Sequence, residues 1–238
     1  MEHRNSTVIS NTKGLYEAEF SQLSTLSHEF IHAWNVERLR PAELEPFDFT
    51  KANPTTSLWF AEGFTTYYAP LMIRRAGEED VDGYLKTLSR NLSYVVNGAG
   101  RDLRSPMAMS LRAPFVDAAT AIDPDNNANT FVSYYPYGAM IGLALDLELR
   151  GKFDGISLDD YMRRLWQKFG KTETPFTHED LAQTLGEVTG DAAFAESFFA
   201  NYIETGALPD YGPLLAQAGL ELGPANPGKA WLGASFEA

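Results

Sequence analysis

The sequence contains no cysteine, so disulfides, thiolate metal sites and a cysteine nucleophile are all excluded. Positive charge is also scarce: 19 Lys and Arg stand against 32 Asp and Glu, for a net charge of −13. Binding a polyanion needs a dense basic face, so nucleic acid is not a predicted partner. There is no apolar run of transmembrane length, and the chain reads as soluble with no membrane span. The first residues, Met1-Glu2-His3-Arg4-Asn5, lack the basic and apolar regions of a signal peptide. Cysteine-free proteins occur on both sides of a bacterial membrane, so these absences leave cytoplasm and periplasm equally open.

What is present is ordinary globular composition, with 44% hydrophobic and 21% charged residues over 238 positions. Thr7, Val8 and Ile9 predict a short strand, broken at Gly14. From about Phe20 to Leu39 apolar residues recur at helical spacing (Leu23, Leu26, Phe30, Ile31, Trp34), and Pro41 ends that helix. Residues 40–55, with Pro41, Pro46 and Pro54, read as an irregular connector. Further helices are predicted at about Thr56–Ala76, stopped by Gly77, and at Asp80–Val96. Residues 97–133, with Pro106, Pro114 and Pro124, read as a long loop region. Helices follow at Tyr137–Leu149, Leu158–Phe169, His178–Val188 (capped by Thr177) and Ala192–Thr205. Residues 219–238 are rich in Gly, Pro and Ala and read as a linker toward another module. No repeat recurs at a 20–50 residue period. The fold class expected is mainly α (α+β), with a short N-terminal β element.

The chemical signal is His28-Glu29-Phe30-Ile31-His32. Positions i and i+4 share one helix face, so the two imidazoles can converge on one ion, with Glu29 placed to take a proton from an attacking water. Neutral imidazole and carboxylate ligands suit Zn2+, and a catalytic site leaves one position open. A third protein ligand is needed, and Trp59-Phe60-Ala61-Glu62-Gly63-Phe64 supplies Glu62 from a core-like helix, where an uncoordinated carboxylate would be costly. The expected metal ligands are therefore His28, His32 and Glu62, around one ion. Ser133-Tyr134-Tyr135-Pro136-Tyr137-Gly138 then offers tyrosine hydroxyls, one of which can donate to the oxyanion formed at the scissile carbonyl.

Three segments in this order, His28–His32 with Ala33-Trp34-Asn35-Val36, then Leu58-Trp59-Phe60-Ala61-Glu62-Gly63-Phe64-Thr65, then Tyr134-Tyr135-Pro136-Tyr137-Gly138, resemble the glycyl aminopeptidase family of thermolysin-like gluzincins. The resemblance implies a helical catalytic domain at residues 1–218 and a missing β domain upstream. It also implies a C-terminal PDZ-like domain beginning in 219–238, near Trp231-Leu232-Gly233. The activity implied is zinc-dependent removal of small N-terminal residues, Gly or Ala, from peptides. Glu29 would be the general base and Tyr135 the oxyanion donor. The related enzymes carry Lys where this chain has Tyr137, so Tyr134 and Tyr137 remain open beside Tyr135. The opening residues resemble the family's Gly-Gly-x-Glu-His-Arg-Asn-Ser-Thr segment, which makes Glu2 the expected holder of the substrate's α-amino group. An endopeptidase on the same metal site and a non-catalytic peptide-binding module are the competing readings. An intact Glu29 argues against the second, since a binding module has no use for a general base.

Overall fold

A computed structural model describes residues 2–3, 5–14, 21–116 and 126–229, the first two by backbone alone. The predicted start of a further module at Trp231-Leu232-Gly233 lies outside the described residues. A two-stranded antiparallel hairpin opens the chain: β1 (Glu2–His3) and β2 (Ser6–Thr7), with Glu2 opposite Thr7 and His3 opposite Ser6. The strand predicted at Thr7–Ile9 thus lies slightly earlier and has a partner in the opening residues.

Helices carry the rest. They are α1 (Leu23–His32), α2 (Leu58–Ala76), α3 (Val81–Val96), α4 (Pro106–Ser110), α5 (Ala113–Val116), α6 (Asn127–Thr130), α7 (Tyr134–Lys152), α8 (Leu158–Leu165), α9 (His178–Thr189), α10 (Ala192–Tyr202) and α11 (Tyr211–Gln217). The ends follow local chemistry. Gly77 and Gly190 close α2 and α9 in the left-handed conformation that glycine adopts without a Cβ penalty. Asp80 caps α3 by accepting from the Gly83 amide at 2.8 Å. Thr177 and Asp180 form a reciprocal capping box at the start of α9. The predicted long loop at 97–133 is largely short helical turns instead. Pro106 begins α4, because Ser105 accepts from the Ala108 amide and proline at the first helical position sacrifices no intrahelical bond. Residues 117–125 lie outside the described residues.

The first helix is shorter than its periodicity predicts, ending at His32 rather than near Leu39. Beyond it the chain folds into a turn held by Asn35, whose amide donates to the Ile31 carbonyl at 3.0 Å. Its apolar stripe also faces differently from a simple core stripe. Leu26, Phe30 and Trp34 are 49%, 63% and 45% exposed, and they border a cleft of about 530 Å3 shared with Asn5, Ser6 and Thr7. The opposite side of α1, with Ser27, His28, Ile31 and His32, lies against α2. There the Ser27 hydroxyl donates to the Ala69 carbonyl at 2.9 Å, beside Pro70, which interrupts the ladder of α2.

The core is the crossing of α2 and α7, filled by Trp59, Phe60, Phe64, Tyr67, Tyr134, Tyr137, Ile141 and Leu145. A buried carboxylate, Asp146, is satisfied from three elements: the Tyr67 hydroxyl at 2.8 Å, the Arg150 guanidinium at 3.0 Å and the Leu158 amide at 2.8 Å. Two glycines set how closely the helices approach. A Cβ on Gly138 would stand 1.9 Å from the Trp59 carbonyl oxygen and 2.7 Å from the Gly63 Cα. A Cβ on Gly63 would stand 2.4 Å from the Gly138 Cα. Backbone cannot step aside as a flexible side chain can. Gly138→Ala should therefore cost about 1–3 kcal/mol or more, the range for overpacked cores, despite alanine's better helix propensity. Urea unfolding checks this, and a loss below about 0.5 kcal/mol would mean the helices separate freely.

Candidate metal centre

Each predicted ligand reaches the site for a local reason. His28 and His32 are one turn apart on α1, and Glu62 sits in the second turn of α2, next to the Gly63–Gly138 crossing. Their ligand atoms converge. The two Nε2 atoms are 3.0 Å apart, and Glu62 Oε2 lies 3.2 Å from each. Among the described residues these three form a group able to hold a metal ion. Tetrahedral ligands at about 2.0–2.1 Å from Zn2+ would stand about 3.3 Å from one another, close to the spacing found.

The electrostatics point the same way. His32 Nδ1 lies 2.7 Å from the Asn35 carbonyl oxygen, which can only accept. Nδ1 therefore carries the proton, and in the neutral ring the Nε2 lone pair is turned to the site. Burial raises the Glu62 carboxyl, but hydrogen bonds and charge from His28 and His32 outweigh it and bring the pKa down to about 2. The carboxylate is ionised at neutral pH. An anionic oxygen and imidazole nitrogens this close need a shared positive charge between them, a proton or a metal ion. The donor set fits Zn2+.

The other predicted residues distribute around this point. Glu29 follows His28 on α1 and lines the cleft beside the hairpin, and its Oε2 is buried with no hydrogen-bond partner among the described residues. Tyr135 is half-buried, its ring centroid 6.0 Å from that of His28. Tyr134 and Tyr137 are instead buried in the core at 1% and 0% exposure. Burial pushes the Tyr137 hydroxyl up to about 12, and that hydroxyl has no hydrogen-bond partner among the described residues. Glu2 lies in β1, while its side chain falls outside the described residues.

Asn35 is the residue whose importance the sequence reading missed. Its side chain is buried at 1% exposure, and its Nδ2 donates to the carbonyls of Phe60 and Ala61, at 3.2 and 3.1 Å, and to Thr65 Oγ1 at 3.2 Å. The signal available was a polar residue three positions after the second histidine, with nothing in the pattern to say what it holds.

Comparison with known proteins bears on this arrangement. No curated protein matches the chain. Among solved structures, the crystal structure of an aminopeptidase N family protein from Idiomarina loihiensis is similar, with a TM-score of 0.79 and 30% identity. The similarity covers 91% of this chain and 38% of that one, so the chain spans well under half of the matched protein. No helix among the described residues is long and apolar enough to cross a membrane. Residues 21–141, which include both histidines, Glu62 and the tyrosine segment, match the M61 glycyl aminopeptidase family, and with half of its length so matched the chain belongs to that family.

Proposed function

We propose that residues 1–218 are the catalytic domain of a zinc-dependent aminopeptidase that removes small N-terminal residues from peptides. In this reading a β domain precedes the chain and a PDZ-like domain follows it. The observation that carries the reading is the convergence of His28 Nε2, His32 Nε2 and Glu62 Oε2 within 3.2 Å. His28, His32 and Glu62 would hold one Zn2+. Such an ion supplies Lewis acidity, lowering the pKa of water toward about 7 and polarising the scissile carbonyl.

The remaining work falls to the chain's own side chains. Glu29 accepts the proton of the attacking water and passes it to the leaving amine, a role supported by its place on the cleft next to His28. Tyr135, beside His28, donates its hydroxyl to the oxyanion of the tetrahedral intermediate. Burial of Tyr134 and Tyr137 supports choosing Tyr135 among the three. The test is the metal content of the purified chain together with its turnover of free and N-acetylated peptides. Zinc near one equivalent with cleavage of free-amino peptides alone is the expected result. Equal cleavage of both would favour an endopeptidase.

Selectivity for a free N-terminus requires an anionic group for the substrate's ammonium, and Glu2 is the proposed one. Its strand pairs with β2, whose Ser6 and Thr7 border the same cleft as Glu29. Glu2→Gln in the complete protein should weaken turnover of free-amino peptides by about 1.5–3 kcal/mol, the worth of a charge-assisted hydrogen bond. Zinc content and any residual action on acetylated peptides should not move. Parallel loss on both substrates would remove Glu2 from this role.

A further inference from the structure

Asn35 lies outside the ligand set, yet it touches both elements that supply ligands. Its backbone carbonyl accepts from His32 Nδ1 at 2.7 Å, holding the ring in the tautomer that directs Nε2 to the site. Its side-chain amide grips the other element. Nδ2 reaches the carbonyls of Phe60 and Ala61, the two residues before Glu62, and the Thr65 hydroxyl one turn beyond. The Thr65 hydroxyl in turn donates to the Ala61 carbonyl at 2.7 Å, so toward Asn35 it can only accept. All three neighbours of Nδ2 are acceptors, which fixes the orientation of the amide. Nδ2 shares its two hydrogens among three acceptors. A turn that existed only to end α1 would not need a buried amide bonded to three acceptors on α2.

We infer that Asn35 is a positioning residue that sets the distance and orientation of His32 relative to Glu62. It does so by anchoring the carbonyl that orients the histidine onto the same turn of α2 that carries the glutamate. The inference rests on the metal reading above and adds that the site is assembled from outside the ligand set. Without the side-chain grip, the turn 33–36 keeps its carbonyl but loses the reference that aims it. The two ligand-bearing helices would then vary in relative placement by the few tenths of an ångström to which a small ion is sensitive.

The experiment uses the purified chain and Co2+, which reports coordination through its visible bands, with affinity read by titration. Asn35→Ala should raise the Co2+ Kd by about 10–100-fold, the usual cost of losing a group that orients a metal ligand, and should change the band pattern. Leu185→Ala is the control: a fully buried core residue of α9, away from the site, whose loss should lower Tm without moving the Co2+ Kd by more than about twofold. An Asn35→Ala Kd within about twofold of the wild type overturns the inference, as does a rise in Kd that tracks lost stability equally in both variants. If Asn35→Ala does not fold, the wild type still decides. An imidazole Nδ1–H signal of His32, protected from exchange by its carbonyl partner with and without Co2+, is expected, and its absence overturns the anchoring role. A wild type that binds no Co2+ at all would instead bring down the metal reading itself.

Discussion

Glu29→Gln should leave zinc bound at one equivalent while lowering kcat by roughly 10²–10⁴, the contribution of a positioned general base. His28→Ala and His32→Ala should lose the ion. The contrast comes from neighbours within one five-residue segment. The two histidines meet Glu62 through their Nε2 atoms at 3.2 Å, whereas Glu29 turns toward the cleft bounded by the hairpin. Gln keeps the size and shape of Glu but cannot take up a proton at neutral pH. Metal affinity in the histidine variants should fall by more than the 10–100-fold typical of groups that merely orient a ligand. Thermal unfolding gives a second readout. Zinc at about 100 times its Kd should stabilise the wild type and Glu29→Gln by about 2.7 kcal/mol, and the histidine variants by much less. Zinc loss in all three variants alike would make Glu29 a ligand and not the base.

Much of this site is legible in the sequence because the relevant spacing is local. Two histidines four apart on a helix must share a face, and nothing in the fold can undo that. Glu62 is legible for another reason, being a carboxylate set among Trp59, Phe60 and Phe64, all buried at 1% or less, where charge is costly without a partner. The helices α2, α3, α9 and α10 follow their periodicity and their Gly or Asp boundaries. Less legible is which way a stripe faces. Leu26, Phe30 and Trp34 have the spacing of a core helix, yet they border a cleft, because periodicity reports a face and not its partner. The prolines of 97–133 suggested loop, whereas Pro106 occupies a first helical position, where it is favoured. Asn35 was invisible for the most general reason. Its hydrogen bonds run to backbone carbonyls 25 and 26 positions away, and a backbone acceptor leaves no residue pattern to read.

The tyrosine segment also depends on a boundary. A helix starting at Tyr137 leaves Tyr134 and Tyr135 in a loop with no rule to separate them. The helix starts at Tyr134, so Tyr134 and Tyr137 are three apart on one face, and both are buried in the core. Tyr135 falls on a different side, half-buried, with its ring 5.1 Å from that of Tyr134 and 6.0 Å from that of His28. Tyr135→Phe keeps both ring contacts and removes only the hydroxyl. It should lower kcat by roughly 10²–10³ with little change in KM, as when one oxyanion donor is lost from a site that binds its ground state by other means. Zinc content and Tm should stay near the wild type. Tyr137→Phe makes the sharpest comparison, since it deletes a buried hydroxyl that has no partner among the described residues. Its removal should be neutral or stabilising and should leave kcat near the wild type, because burying an unpaired hydroxyl is itself unfavourable. A large fall in kcat in Tyr137→Phe or Tyr134→Phe, with Tyr135→Phe unaffected, would move the oxyanion role off Tyr135 and mean that the helix turns in the active enzyme to present another face.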